Sequence, residues 1–119
     1  MALVVIADDS MFQRFFLRKV VTSLGHEFAE AANGKELLTL LESRTPELLL
    51  MDLNMPEVSG MDILEALKER RAAFHKVVIT ADIQHTTRDR CLELGAVRVL
   101  NKPLDEAEVR TILDGLLSS

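Results

Sequence analysis

Three carboxylates in this sequence stand where apolar runs end. Asp8 and Asp9 come directly after the run Leu3–Ala7, and Asp52 is the last residue of the run Leu48–Asp52. An acid at the end of a buried strand either caps a turn or takes part in chemistry. Chemistry by these acids requires that the fold bring them together.

The apolar runs alternate with longer segments, and this alternation determines where the acids lie. Five short runs are separated by segments with apolar residues at helical spacing. Several runs show no polar alternation, which is typical of parallel strands covered by helices on both faces. The pattern predicts an α/β protein, a (βα)5 chain folded as a doubly wound five-stranded parallel sheet, with strands Leu3–Ala7, Glu27–Ala31, Leu48–Asp52, Val77–Ala81 and Arg98–Asn101.

Capping residues and glycines mark the ends of the predicted helices. The first is expected to begin after Asp9 or Ser10 and to end near Gly25, with one apolar face formed by Phe12, Phe15, Phe16 and Val20. The others are expected to begin at Asn33, Ser59, about Gln84 and Asp105, with apolar residues Leu37, Leu40 and Leu41; Met61, Leu64 and Leu67; Thr87, Cys91 and Leu94; and Val109, Ile112, Leu113 and Leu116.

The carboxyl ends of parallel strands lie along one edge of the sheet, where doubly wound folds place their sites. This edge would hold Asp8, Asp9 and Asp52, with Thr80 at the end of the fourth strand and Lys102 after the fifth. Carboxylates about 5 Å apart repel by about 3 kcal/mol per pair at an effective dielectric constant of about 20. The cluster therefore predicts a bound cation, and oxygen ligands that leave positions for water and phosphate suit Mg²⁺.

A lysine and a threonine beside such a cation indicate a reaction of an anion. Lys102 would supply a fixed positive charge, and the Thr80 hydroxyl would donate a hydrogen bond to a phosphoryl oxygen. With a carboxylate nucleophile, these groups predict phosphoryl transfer onto an aspartate. Asp52 ends the central strand and is the predicted acceptor. Taken singly, each of these residues also has a structural interpretation as a turn, cap or solvated residue.

The chain resembles the receiver domains of bacterial response regulators, and single-domain chemotaxis receivers of the CheY type in particular. The resemblance covers essentially all 119 residues and rests on Asp8-Asp9, Asp52 with Asn54-Met55-Pro56 and Gly60, Thr80-Ala81, and Lys102-Pro103. It implies a flavodoxin-like sheet with strand order 2-1-3-4-5. It also implies that Asp52 accepts a phosphoryl group from a histidine kinase.

The resemblance assigns a role to each matching acid. Asp9 and Asp52 would ligate Mg²⁺ directly, together with the Asn54 main-chain carbonyl, and Asp8 would act through water. The side chains of Asn54 and Asp82 would flank the path of the attacking water. They would tune dephosphorylation, either by orienting that water or by recruiting a phosphatase.

The phosphoryl oxygens would be held by Thr80, the Ala81 amide and Lys102, and the Lys102–Pro103 bond would be cis. Receivers of this type usually carry Tyr or Phe three residues before the lysine, whereas this sequence has Val99. Activation would then rely on shifts of the loop and of helix four; the alternative is that Val99 is simple strand packing. The expected output surface joins helix four, strand five and helix five and binds a downstream protein, with exposed candidates Gln84, Arg88, Arg98 and Arg110.

Composition limits the classes of function. A chain of 119 residues with 48% hydrophobic and 28% charged residues is expected to be one globular domain, a receiver over residues 1–119 without an output domain. The net charge of −5 argues against nucleic-acid binding, and no apolar run is long enough to span a bilayer. The lone cysteine, Cys91, fits a reducing cytoplasm. The signal would leave through a partner protein, which favours chemotaxis, with a phosphorelay or developmental role as the alternative.

Two enzyme or cofactor-binding classes share parts of this pattern. An Mg²⁺-dependent phosphatase that forms an aspartyl phosphate is expected to carry a second Asp two residues after the nucleophile, where this chain has Asn54. A flavodoxin is disfavoured because there is no Tyr or Trp to flank a flavin and because Asp8 and Asp9 would repel its phosphate. The receiver interpretation predicts no enzyme activity beyond the chain's own phosphorylation and dephosphorylation.

Overall fold

A computed structural model describes residues 1–118 and shows five strands alternating with five helices in that range. The strands are β1 (Leu3–Ala7), β2 (Glu27–Ala31), β3 (Leu48–Asp52), β4 (His75–Thr80) and β5 (Arg98–Asn101). The helices are α1 (Met11–Ser23), α2 (Gly34–Ser43), α3 (Gly60–Glu69), α4 (His85–Glu93) and α5 (Glu106–Leu117). None of these helices is both long and apolar enough to cross a membrane.

The strands form a single parallel sheet in the order β2-β1-β3-β4-β5, which confirms the expected topology. β3 lies at the centre, paired with β1 on one side and β4 on the other. The chain runs outward from β1 to β2 and then returns to β3, so the strand order reverses between β1 and β3. A crevice opens at such a switch point beyond the carboxyl ends of the strands.

Two apolar clusters enclose the sheet. Leu48 and Leu50 of β3 belong to the cluster under α1 and α5, whereas Leu49 and Met51 belong to the cluster under α2, α3 and α4. All five residues of β3 are buried. Because packing fixes both faces of this strand, its terminal residue Asp52 is held firmly at the edge of the sheet.

The fourth strand begins earlier than the sequence suggested. It runs from His75 to Thr80 rather than from Val77 to Ala81. His75 already pairs with Leu48, and its amide donates to the Glu47 carbonyl at 3.1 Å. Charged or polar residues at the start of the strand concealed this pairing, since the prediction counted only the continuous apolar run.

The predicted apolar face of α1 is only partly buried. Phe12 is 90% exposed and Phe15 is 51% exposed, and the buried side chains of the helix are Leu17, Val20 and Val21. Phe12 belongs to the first turn, at the carboxyl edge of the sheet, where no strand lies beneath it. The ring of Phe15 instead lies under the cationic groups of its helix neighbours at 5.2 Å and 5.8 Å.

Four of the five described helices begin with a capping side chain at an expected residue. The side chains of Ser10, Asn33, Ser59 and Asp105 each accept a hydrogen bond from a backbone amide in the first turn of the helix that follows. α3 buries Ile63, Leu64 and Leu67, whereas the expected Met61 is only partly buried. α4 is the least anchored helix, since Cys91 is the buried residue within its span.

Candidate functional site

Asp8, Asp9 and Asp52 meet at the carboxyl edge of the sheet. One carboxylate oxygen from each residue lies within 4.8 Å of the other two. Asp8 and Asp52 are buried, whereas Asp9 is exposed. The structure therefore brings together the three acids that the sequence placed after two different strands.

Backbone pairing fixes the two buried acids. The Asp8 amide donates to the Ala31 carbonyl at 3.1 Å, and Asp8 Oδ1 accepts from the Ser10 amide at 2.9 Å. Asp52 Oδ1 accepts from the Asn54 amide at 3.1 Å. Each carboxylate closes its own turn with Oδ1 and keeps Oδ2 for other partners.

Lys102 lies between the two buried acids. Its Nζ is 3.0 Å from Asp52 Oδ2 and 3.8 Å from Asp8 Oδ2. Burial by itself would lower the pKa of this ammonium, but the hydrogen bond to Asp52 and the charges of the three acids outweigh it and raise the pKa. The side chain therefore carries a fixed positive charge at neutral pH.

Asp8 carries a large desolvation cost. Burial raises its pKa from 3.8 to about 6, with the charges of Asp52 and Asp9 adding to the effect and the Ser10 amide and Lys102 opposing it. Its Oδ2 is buried and accepts no hydrogen bond within the part of the chain that the structure describes. A buried carboxylate oxygen that accepts no hydrogen bond there and lies beside two further acids fits a hard divalent cation. The three acids could hold Mg²⁺.

Thr80 reaches the same edge from β4, the strand beside β3. Its side chain is fully buried, and its Oγ1 accepts from the Asp82 amide at 3.0 Å. The Thr80 carbonyl accepts from the Lys102 amide at 2.9 Å, and the Lys102–Pro103 bond is cis, as expected. Ala81 is exposed beside it. The predicted phosphate-binding residues thus share one edge with the acids.

Asn54 and Asp82 occupy different environments. Asn54 is exposed. The Asp82 carboxylate accepts from the Thr87 hydroxyl at 2.6 Å and from the Gln84 amide at 2.9 Å, and these two bonds lower its pKa. The N-cap of α4, Gln84, makes no side-chain capping bond within residues 1–118. Asp82 therefore ties the loop to the first turn of α4 through the Thr87 hydroxyl, a contact that its position in the sequence did not indicate.

The predicted output residues lie on α4, β5 and α5. Val99 is only 7% exposed and belongs to the apolar cluster that contains Cys91. Arg110 is partly exposed, and its guanidinium lies 3.5 Å from a Glu106 carboxylate oxygen. The remaining candidates are exposed at this surface; they are Gln84, Arg88 and Arg98.

Two further residues support the site and were missed in the sequence. Arg14 Nη1 donates to the Asp8 carbonyl at 2.7 Å, and its Nε donates to Glu30 at 3.2 Å. Asn101 Nδ2 donates to the Asp82 carbonyl at 3.1 Å. A polar residue directly before Lys102 at the end of an apolar strand was the available signal for Asn101. Arg14 carried no such signal, because it is one of several cations on α1.

Sequence comparison places the chain among proteins of one kind. A profile for the response regulator receiver domain matches residues 4–114. The chemotaxis protein CheY of Thermotoga maritima is 30% identical over 107 residues, which cover 89% of this chain and 89% of that protein. Sporulation initiation phosphotransferase F of Bacillus subtilis is 30% identical, with coverage of 90% and 86%.

Longer proteins contain a similar segment. The DNA-binding transcriptional regulator NtrC of Klebsiella pneumoniae is 29% identical over 113 residues, and the chain spans 24% of its length. The fold matches the Francisella response regulator 1452 receiver domain with a TM-score of 0.92 at 22% identity, covering 98% of this chain and 96% of the other. The chain therefore belongs to the response regulator receiver domain family, the phosphoryl-accepting switches of two-component systems.

Proposed function

We propose that Asp52 accepts a phosphoryl group from a histidine kinase and that the phosphorylated chain binds a downstream protein. The observation that carries this proposal is the position of the Asp52 carboxylate. It stands at the end of the central strand, 3.0 Å from the Lys102 ammonium and within 4.8 Å of carboxylate oxygens of Asp8 and Asp9. A rigid nucleophile beside a fixed cation is what phosphoryl transfer requires.

The transfer is a substitution at phosphorus. A carboxylate oxygen of Asp52 forms the new O–P bond, the P–N bond of the donor phosphohistidine breaks, and the leaving imidazole nitrogen keeps its electron pair. Lys102, the Thr80 hydroxyl and the Ala81 amide hold the phosphoryl oxygens. Asp8, Asp9 and Asp52 would hold Mg²⁺, which would supply further positive charge to the transferring group. The donor ring leaves as neutral imidazole because its other nitrogen carries the proton, so the step needs no proton donor on the chain.

The donor must reach the carboxyl edge, and an exposed apolar patch borders that edge. Met11 is 75% exposed and Phe12 is 90% exposed, and Phe12 lines a groove with Lys102 and Pro103. Large apolar side chains left in water beside a site favour a protein surface as the occupant. We place the contact with the kinase on this patch.

The output surface is formed by α4, β5 and α5, with Gln84, Arg88, Arg98 and Arg110 as the candidate contacts. To raise the active form from about 1% to about 99%, phosphorylation must favour it by about 5.5 kcal/mol. α4 suits this task because few of its side chains are buried. Its displacement therefore costs little packing energy.

Chemotaxis is the proposed pathway, and a phosphorelay or developmental role is the alternative. The similarity to CheY supports the first, and the similarity to sporulation initiation phosphotransferase F supports the second. In either case we place the protein in the cytoplasm, where Cys91 remains reduced. Its own phosphorylation and dephosphorylation, assisted by Asn54, Asp82 or a phosphatase partner, would be its whole chemistry.

The test is the intact mass of the protein after incubation with acetyl phosphate and Mg²⁺. The wild-type chain is expected to gain the mass of one phosphoryl group, and Asp52→Asn is expected to gain none. Asp114→Asn, an exposed change on α5, serves as the matched control and should gain the same mass as the wild type. A wild type without the adduct, or Asp52→Asn with an equal adduct, refutes the proposal.

The same protein can be tested as a phosphatase. Multiple turnover of p-nitrophenyl phosphate that depends on Mg²⁺ and Asp52 would favour the aspartyl-phosphate hydrolase over the switch. The absence of such turnover, together with a stable adduct, is the result expected for a receiver domain.

A further inference from the structure

Asn101, the last residue of β5, holds the loop between β4 and α4. It pairs with Thr80 across the sheet. Its Nδ2 donates to the Asp82 carbonyl at 3.1 Å and to the Thr80 carbonyl at 3.4 Å. A carboxamide nitrogen carries two hydrogens and can serve both acceptors. β5 is therefore hydrogen-bonded to the loop at the carbonyl groups on both sides of Ala81.

The loop continues this chain of bonds into α4. The Thr80 hydroxyl accepts from the Asp82 amide at 3.0 Å. The Asp82 carboxylate in turn accepts from the Gln84 amide at 2.9 Å and from the Thr87 hydroxyl at 2.6 Å. The Thr87 bond helps to keep this carboxylate ionised, because it lowers the pKa of Asp82. A continuous path of hydrogen bonds thus joins Thr80 to the first turn of α4.

This path has no aromatic ring to assist it. If the Thr80 hydroxyl turns toward a phosphoryl group, the Asp82 amide loses its acceptor and the loop must rearrange. Val99 has no ring that could rotate into the space that the Thr80 side chain leaves. Asn101 lies two residues further along β5, on the same face of the strand as Val99. It is the β5 side chain that is bonded directly to the moving loop.

We propose that Asn101 is a positioning residue that sets the resting position of the Thr80–Asp82 segment and thereby sets how readily phosphorylation reaches α4. The effect of Asn101 on the resting loop belongs to the unphosphorylated protein and does not depend on Asp52. Its effect on signal transmission to α4 rests on the proposed role of Asp52. Asn101 acts through Thr80 and Asp82 and does not itself touch the phosphoryl group.

The first experiment measures backbone hydrogen exchange in the unphosphorylated protein. Asn101→Val removes the donor without adding charge, and Asn101→Asp keeps the shape but presents acceptors to the two carbonyls. In both variants the amides of Asp82 and Gln84 should exchange about fivefold faster, the equivalent of about 1 kcal/mol of lost hydrogen bonding. Because Asn101 is exposed, both variants should keep the fold.

Asn33→Asp is the matched control. Asn33 Oδ1 accepts from the Glu36 amide at the start of α2, and an Asp side chain can accept the same bond. This variant changes an Asn to an Asp far from the loop and should leave exchange at Asp82 and Gln84 unchanged. Unchanged exchange at both amides in both Asn101 variants would overturn the inference.

The second experiment uses acetyl phosphate and Mg²⁺. Asn101→Val should form the adduct on Asp52 a few-fold faster than the wild type, because Thr80 is no longer held in its resting position. The change in α4 hydrogen exchange that phosphorylation causes should be smaller in the variant, since part of the change is already present. A purely structural residue would not alter this response to phosphorylation.

The outcomes separate this inference from the proposed function. Suppose that the Asn101 variants show faster exchange but form the adduct at the wild-type rate, with the wild-type change in α4 exchange. This result would refute the proposed effect of Asn101 on signal transmission to α4. A wild type that forms no adduct would refute both the proposed function and the effect of Asn101 on signal transmission to α4. The exchange measured in the unphosphorylated variants would still decide whether Asn101 positions the loop.

Discussion

Two loops flank the Asp52 carboxylate, and they are held by different forces. The loop from β3 to α3 is held by packing: Leu53 and Met55 are buried, and the backbone at Gly60 lies directly against Leu53. The loop from β4 to α4 is held by side-chain hydrogen bonds, and its Ile83 is 81% exposed. Both loops are hydrogen-bonded, but the β3–α3 loop also buries apolar side chains, whereas the residues from Ala81 to Gln84 are exposed or partly exposed.

This difference indicates which side of the site can respond to a phosphoryl group. Moving the β3–α3 loop would open a cavity in a close-packed core, which is costly. Moving the β4–α4 loop only exchanges hydrogen bonds, and water can replace those on the exposed side. We expect the first loop to hold Asp52 still while the second carries the signal to α4.

The largest effect is expected at Gly60. A Cβ there would lie 2.7 Å from Leu53 Cα, so Gly60→Ala should reduce the free energy of unfolding by about 3 kcal/mol. Urea unfolding measures this change. Gly115→Ala in α5 is the matched control: a Cβ there meets nothing within 4 Å among the described residues, and it should stabilise the helix by about 0.5 to 1 kcal/mol. Equal stability of Gly60→Ala and the wild type would show that packing does not fix the β3–α3 loop.

The second prediction concerns pH and compares two acids with opposite pKa shifts. The pKa of Asp8 rises on folding from 3.8 to about 6. The folded protein therefore binds the proton more tightly, and the stability that protonated Asp8 contributes below about pH 4 is lost as pH rises through about 6. In Mg²⁺-free buffer at pH 7, Asp8→Asn should be about 2 kcal/mol more stable than the wild type.

Asp82 provides the control of opposite sign for that experiment. The Thr87 hydroxyl and the Gln84 amide lower the pKa of Asp82. Its ionised carboxylate therefore stabilises the folded protein at neutral pH, and this stabilisation is lost as pH falls through the lowered pKa. Asp82→Asn should therefore be less stable than the wild type at pH 7. Urea unfolding at pH 7 measures both variants. A change of stability in the same direction for both would contradict one of the two predictions, and a reversal of both signs would contradict the pair.

The third prediction concerns Mg²⁺. Since Mg²⁺ would relieve the repulsion among the acids, it should raise the melting temperature, with a gain of about 1.4 kcal/mol at ten times the dissociation constant. Asp9→Ala should abolish this gain, whereas Asp89→Ala, an exposed acid on α4, should retain it. Differential scanning fluorimetry checks the shift. A melting temperature that does not respond to Mg²⁺ would contradict the metal site.

The smallest effect is expected in the lifetime of the phosphorylated form. Each loop carries one of the two residues proposed to flank the path of water, Asn54 in the first and Asp82 in the second. Asn54→Ala and Asp82→Ala should each change the rate of dephosphorylation severalfold, measured as loss of the adduct mass. Asp82→Ala should also speed hydrogen exchange at the start of α4, and Asn54→Ala should not. Unchanged lifetimes in both variants would remove these residues from the dephosphorylation step.

Much of the fold followed from local patterns. Continuous apolar runs identified the strands, and caps such as Ser59 and Asp105 located the helix starts because these residues satisfy free backbone amides. The gathering of Asp8, Asp9 and Asp52 followed from parallel topology alone, since all carboxyl ends share one edge. The structure places the three acids together and adds the Lys102 contact to Asp52.

Contacts between distant segments were beyond local patterns. The early start of β4 depends on pairing with β3, which apolar content does not reveal. The exposure of Phe12 depends on where the sheet ends beneath α1. The bonds of Asn101 to the β4–α4 loop depend on the pairing of β5 with β4. Each of these features is a property of two segments, whereas the sequence pattern describes one at a time.

The position of Cys91 makes α4 open to direct observation. It is the only cysteine in the sequence, it is fully buried on the inner face of α4, and burial raises the pKa of its thiol. A thiol in this state reacts with a disulfide reagent only when the helix lifts away from the sheet. The rate of labelling therefore measures how often α4 opens, without an introduced cysteine. The protein carries its own chemical reporter at the helix expected to move.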